Sequence, residues 1–269
     1  MYKIIFCDLD GTLLDDNRNI SDKNIEYINK AIINNCKFVI SSGRSNMSLD
    51  YFNRYLNLDK SENYTVAFNG AYIYRTDTNE KLAEHLIQKD IAIEAIKLCR
   101  DFNVDIMVYK DEVLWFDNMT ERVNSYAKRN MVNFKIVDKI ENVLDKSISK
   151  VIIIGDNKEL KKVENEVEKS DINKIMTTFF SSANLYEFNP YGIDKGTGLE
   201  ELSSILNINV KDTIAIGDNY NDLSMIQRAG LGVCCSNGEA GVKKYADYVT
   251  LNDNNNGAVA EIIEKFILS

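Results

Sequence analysis

Two short acidic segments, far apart in the chain, hold residue types that can do chemistry together. Asp8-Leu9-Asp10-Gly11-Thr12 follows the apolar run Ile4-Ile5-Phe6-Cys7, and Gly217-Asp218-Asn219-Tyr220-Asn221-Asp222 follows Thr213-Ile214-Ala215-Ile216. In an extended chain, residues two apart face the same side, so Asp8 and Asp10 can converge on one point. Asp218 and Asp222 stand four apart, which brings them together if the chain turns into a helix. Carboxylates this close repel unless a cation sits among them or one keeps its proton. An oxygen-rich set of Asp8, Asp10, Asp218 and Asp222 suits Mg²⁺, a hard cation that takes carboxylates and keeps several waters. Taken singly, each segment has a plainer reading: a solvated Asp-rich turn for the first, a capped helix start at Asn219 or Asn221 for the second.

Two further pieces fit an anion. Ser42 precedes Gly43-Arg44, where a hydroxyl and a glycine N–H at a helix start can hold a phosphate; strand alternation points its neighbour Ser41 away. Lys195, in Gly192-Ile193-Asp194-Lys195-Gly196, falls where a helix begins. A cation there opposes the helix dipole, which gives an anionic ligand a reason to be present. An ordinary surface lysine is the alternative.

The elements that must position these groups alternate between strand and helix. Ile4–Cys7 reads as a buried, central parallel strand, and such strands open ligand sites at their carboxyl ends. Helices are expected over 21–35, 45–55, 195–206, 221–228 and 258–268, and strands over 37–42, 213–217 and 231–234. Tyr64–Phe68 and Ala71–Arg75 read as strands joined through Asn69-Gly70, a hairpin dipeptide. From about Ala83 the rhythm changes to hairpin strands mixed with helices, an α+β unit. Asn189-Pro190-Tyr191-Gly192, with the chain's only Pro, reads as a linker. The expected architecture is α/β, with residues 1–82 and 189–269 forming one domain and residues 83–188 inserted as a second.

Composition excludes several classes. The 269 residues are 45% hydrophobic and 27% charged with a net charge of −9, which argues against nucleic-acid and anionic-membrane partners. No apolar run approaches a membrane span and no signal peptide is read at the N-terminus, so a cytoplasmic protein is expected. Five cysteines lack C-x-x-C spacing and read as reduced thiols. A single histidine, His85, makes a Ser-His-Asp triad or a His-rich metal site hard to build, so the chemistry rests on carboxylates, Lys and Ser.

In order and spacing, Asp8-x-Asp10-Gly11-Thr12, Ser42-Gly43-Arg44, Asp194-Lys195-Gly196 and Gly217-Asp218-x-x-x-Asp222 resemble the four motifs of the haloacid dehalogenase-like phosphohydrolases. Asn69-Gly70-Ala71 and Ser236-Asn237-Gly238 add the look of the Cof-type branch. Ser42 stands where that branch often has Thr, and Gly238 where it usually has Ala. The resemblance spans essentially the whole chain and implies a Rossmann-like parallel-sheet core with an α/β cap inserted at 83–188.

It also implies a mechanism: Asp8 attacks phosphorus to form an aspartyl-phosphate, and Asp10 protonates the leaving oxygen and then takes a proton from water. Mg²⁺ is expected on Asp8, the Asp10 carbonyl and Asp218, with Asp222 orienting ligands or water. Ser42, Lys195 and Asn221, with the backbone amides of Leu9 and Gly43, are expected to hold the phosphoryl oxygens. The cap is expected to choose the leaving group. Arg44, Asn69 and the aromatic residues Tyr109, Trp115 and Phe116 are candidates to face its mouth, with cap core as the plainer role for the aromatics. The implied activity is Mg²⁺-dependent hydrolysis of small phosphorylated metabolites, sugar phosphates foremost, by a monomer or weak homo-oligomer. A phosphomutase or phosphotransferase, and a phosphoryl-sensing regulator, are the alternatives.

Overall fold

The computed structural model describes residues 2–269. The chain forms two compact units, one from the chain up to Gly43, Leu49–Ala83 and Asp194–Ser269, the other from Arg44–Ser48 and Glu84–Ile193. In the first unit, β1 (Ile4–Cys7), α1 (Asp22–Ile33), β2 (Lys37–Ser41), α2 (Asn46–Tyr55, whose first turn belongs to the second unit), β3 (Tyr64–Ala67), β4 (Tyr72–Arg75) and β5 (Lys81–Glu84) precede the insert. The second unit holds α3 (Lys89–Cys99), β6 (Asp105–Lys110), β7 (Val113–Phe116), α4 (Glu121–Asn130), β8 (Phe134–Ile136), α5 (Ile140–Val143), β9 (Lys150–Ile154), α6 (Asn157–Lys169), β10 (Met176–Ser182) and β11 (Leu185–Pro190). The chain then returns through α7 (Lys195–Ile205), β12 (Thr213–Gly217), α8 (Leu223–Arg228), β13 (Leu231–Cys234), α9 (Ala240–Lys243), β14 (Tyr248–Val249) and α10 (Ala258–Phe266).

Among the described residues the first unit is built on an eight-stranded sheet in the order β14-β13-β12-β1-β2-β3-β4-β5. From β14 through β3 the pairings are parallel, and β1 runs between β12 and β2. Alternation assigns the faces. Ile4 and Phe6 pack with Leu199 and Leu202 of α7 and with Ala215 and Met225, so the next residue of that period, Asp8, continues the face on which α7 lies. The strand's acid and the helix's first residue are thereby aimed at each other.

In the second unit a six-stranded sheet runs β10-β11-β9-β6-β7-β8. One of its faces packs Ile106, Val108, Val151, Ile153, Tyr186 and Phe188 against Ala92, Ile96, Leu160 and Val163 of α3 and α6.

Two expectations are corrected. Asn69-Gly70 is not a two-residue hairpin turn. Ala67 pairs with Tyr72, leaving the four residues 68–71, and Phe68, Asn69 and Gly70 take φ of 49°, 53° and 100°. Asn189 and Pro190 are not linker but the end of β11, Pro190 opposite Met176 on β10. The short β5, α5, α9 and β14 were not expected: α5 and α9 are about one helical turn and β14 two residues, too short for a pattern to repeat, and β5 (Lys-Leu-Ala-Glu) is apolar only at its two central positions.

Candidate active site

Lys195 stands at the centre. Asp194 caps α7 by accepting from the Thr197 N–H, with Thr197 answering in a capping box, so the helix starts at Lys195. Its side chain is fully buried, and Nζ donates to Asp8 Oδ1 and to Asp222 Oδ1, both at 2.5 Å. The anion that the helix start called for is present in the chain itself, as two carboxylates.

Asp222 is also fully buried, and its second oxygen accepts from the backbone N–H groups of Asp218 and Asn219 at 2.9 and 3.0 Å. It fits beneath the strand end because Gly217 has no side chain: a Cβ there would lie 2.4 Å from that of Asp222. With both oxygens engaged, Asp222 holds Lys195 and shapes the turn that presents Asp218. Asp218 Oδ1 accepts from the Thr12 hydroxyl at 2.9 Å. Gly11 turns at φ 82°, and a Cβ on it would sit 2.6 Å from Asp218 Oδ2, so only glycine lets the two acidic segments close up.

Ligand oxygens of Asp8, Asp218 and Asp222 lie within 4.8 Å of one another. Charge is unbalanced here, three carboxylates against one ammonium. Burial and Asp222 push Asp8 well above the usual carboxylate range, Lys195 pulling it back in part. Burial and Asp222 push Asp218 up to about 7 against the opposing effects of the Thr12 hydroxyl and Lys195. Burial works against the charge on Lys195, but Asp222 and Asp8 outweigh it and raise its pKa. This donor set fits a hard divalent cation, which would relieve the repulsion that raises Asp8 and Asp218. Burial also pushes the Cys7 and Cys235 thiols well up, so neither offers a thiolate nucleophile.

The other predicted residues fall into three groups. Asp10 stands outside that triad: its carboxylate lies 3.8 Å from the Arg18 guanidinium and its side chain is 34% exposed. Ser42 and Asn69 are joined, the Asn69 N–H donating to the Ser42 carbonyl at 2.9 Å. Asn221 donates to Asn69 Oδ1 at 3.5 Å, and a Cβ on Gly43 would meet that same oxygen at 2.9 Å. The left-handed turn at Asn69 therefore gathers Ser42, Gly43 and Asn221 into one cluster. In the second unit, Arg44 is buried, with the Ser48 hydroxyl 3.5 Å away. Trp115 and Tyr109 do not share a face. Val108 pairs with Trp115 and Tyr109 with Leu114, so Trp115 joins the helix-side core, its ring flanked by Lys110 and Lys135, while Tyr109 and Phe116 lie on the opposite face.

Sequence reading assigned no separate role to Thr12 or Asn237. Asn237 donates to the Gly11 carbonyl at 2.8 Å and accepts from the Asn254 N–H at 3.1 Å, tying the first acidic turn to the loop after β13. A Cβ at Gly238 would meet Cys234 Sγ at 2.5 Å, which accounts for glycine beside that sulfur.

A family model of the haloacid dehalogenase-like hydrolases matches residues 5–263, and the chain belongs to that family. Among its relatives, YxeH of Bacillus subtilis is 29% identical over 273 residues, with 100% of both chains covered. The 5-amino-6-(5-phospho-D-ribitylamino)uracil phosphatase YcsE of Bacillus subtilis is 30% identical over 273 residues, covering 99% of this chain and 96% of that protein. The crystal structure of a haloacid dehalogenase-like hydrolase from Bacteroides thetaiotaomicron is similar with a TM-score of 0.89 at 29% identity, over 99% of this chain and 100% of that one.

Proposed function

We propose that this chain is a Mg²⁺-dependent phosphatase of small phosphorylated metabolites, sugar phosphates foremost, working through an aspartyl-phosphate on Asp8. The observation that carries the reading is the buried Lys195 ammonium held 2.5 Å from both Asp8 and Asp222, with Asp218 beside them. Together they make a carboxylate oriented for attack, a fixed positive charge for the phosphoryl group and a place for a divalent cation.

Asp8 attacks phosphorus as the bond to the leaving oxygen breaks, and Asp10 gives that oxygen its proton. Asp10 then takes a proton from water as the water's oxygen attacks the aspartyl-phosphate, releasing phosphate and restoring Asp8. Lys195, the Ser42 hydroxyl, the Asn221 amide and the N–H groups of Leu9 and Gly43 bind the phosphoryl oxygens. Asp8, the Asp10 carbonyl and Asp218 would hold Mg²⁺, which would supply the positive charge that these carboxylates and a phosphate together require.

Residues 83–188 act as a cap that selects the alcohol half of the ester, on a catalytic core of residues 1–82 and 189–269. A ribityl phosphate ester gives YcsE its name, which supports a phosphorylated sugar or polyol for this chain. No helix among the described residues is long and apolar enough to cross a membrane, and all five cysteines are free and buried. Both fit a reducing cytoplasm, where we place the protein. The test is phosphate release from a panel of sugar, polyol and aryl phosphates with Mg²⁺. Release from several sugar or polyol esters is expected, and no release from any ester would overturn the reading.

A further inference from the structure

Asn189 is fully buried near the end of β11, and neither its side-chain nitrogen nor its oxygen has a hydrogen-bond partner. An unpaired buried amide destabilises a fold, so its presence needs a reason. The sheet register supplies its neighbours. Thr177 lies opposite Asn189, Val151 opposite Phe188, and Tyr109 opposite Lys150. Thr177, Asn189, Lys150 and Tyr109 therefore form one row across four strands. Val108, Val151 and Phe188 belong to the helix-side core, so by alternation this row occupies the other face. Glu187 shares that face, two residues before Asn189. It accepts from the buried Lys150 ammonium at 2.5 Å and from the Ser181 hydroxyl at 2.7 Å.

The chemistry of this cluster differs from that of a phosphate site. Lys150 and Glu187 are already engaged with each other as an ion pair. The orphaned amide offers two N–H donors and a carbonyl acceptor at one place. The groups that match both at once are hydroxyls, which donate and accept, and two adjacent hydroxyls match the amide edge best.

We propose that Asn189, with Lys150 and Glu187 beside it, is a hydroxyl-binding site that selects sugar and polyol phosphates over esters lacking hydroxyls. This deepens, and rests on, the phosphatase reading. Burial at this level means that a ligand reaches the amide only as the covering chain moves, so the test uses the intact protein in steady state.

The experiment compares kcat/KM for ribitol 5-phosphate, sorbitol 6-phosphate and glucose 6-phosphate with that for p-nitrophenyl phosphate, in wild type and in Asn189→Leu. Leucine keeps the same four-atom skeleton branched at Cγ and has no hydrogen-bonding atom. The expected result is a loss of about tenfold for the best polyol or sugar ester, less than about twofold change for the aryl ester, and a higher Tm. Asn189→Ser, which keeps a donor and an acceptor on a shorter side chain, should lie between the two, and it carries the same comparison if the leucine variant does not fold. Parallel changes for both ester classes, or wild type hydrolysing only the aryl ester, would overturn the hydroxyl site and leave the phosphatase reading standing. No phosphate from any ester would overturn both.

Discussion

The molecule buries two lysines against carboxylates, and they are short of different things. Lys195 faces Asp8 and Asp222, with Asp218 close by, so its surroundings lack positive charge. Lys150 is paired with Glu187, and what its surroundings lack is hydrogen bonds, at Asn189. A deficit of charge calls for a cation and for a substrate whose charge develops in reaction. A deficit of hydrogen bonds calls for a neutral hydroxylated group. The comparison assigns chemistry to one cluster and recognition to the other, and each assignment can be broken separately.

The largest expected effect is at Asp8. Asp8→Asn should cut phosphate release by roughly 10⁴-fold or more, because an amide is a poor nucleophile, while Lys195 keeps its contact with Asp222 and circular dichroism stays native. A folded variant with full turnover would end the covalent mechanism.

Next comes Asp10→Asn, with a loss of about 10²–10⁴-fold on a sugar phosphate, whose alkoxide must be protonated to leave. p-Nitrophenolate leaves without a proton, so rapid mixing should show a burst of nitrophenolate near one equivalent of enzyme, followed by slow turnover. Equal losses with no burst and no trapped phosphoenzyme would reduce Asp10 to a structural residue.

The two lysines can be set against each other in urea unfolding with chelator present. Lys195→Met leaves two buried carboxylates without their cation and should cost about 3–5 kcal/mol. Replacing both members of the insert's pair, Lys150→Met with Glu187→Leu, removes an ion pair together and should be nearly neutral. Equal costs would mean that the charge imbalance has been misjudged.

The smallest effect is on thermal stability. Asp8 and Asp218 are raised, so the folded, metal-free protein holds protons that the unfolded chain gives up. That contribution is present at low pH and fades as pH rises from the ordinary Asp value of 3.8 through about 7, where Asp218 titrates. Without metal, Tm should fall by a few degrees from about pH 5 to about pH 8, and added Mg²⁺ should raise Tm more at the higher pH. Ca²⁺, which takes more ligands at longer distances, should bind yet inhibit. A Mg²⁺ shift that is the same at both ends of the range would remove the link between cation and carboxylates.

How much of this was legible in the sequence depended on how locally each feature is encoded. The strand at Ile4–Cys7, the acids at its end and the helix start at Lys195 were readable because alternation, a glycine turn and a capping residue are written in a few consecutive positions. Pairing of the distant segments followed from their order as motifs. Asp222 reads as an acid of the site, and in the fold its oxygens also anchor Lys195 and the Asp218 turn. That depends on the room above Gly217, which no local pattern records.

By itself, then, the sequence determined the α/β alternation, the insert and the residue types at the carboxyl ends of β1 and β12. Each follows from periods of two or 3.6 residues and from caps within one segment. Tertiary structure alone decided which side chains of the insert are neighbours. By residue type Tyr109 and Trp115 read as aromatics of one mouth, yet pairing across β6 and β7 sends them to opposite faces. Asn189 lies in a segment whose sequence reads as linker, yet it is a strand residue in a row with Lys150. A cross-strand neighbour is set by register, and a shift of one residue exchanges every face. Register is settled by the packing of the whole sheet, and that is why the recognition cluster, unlike the chemical one, had no signature in the chain.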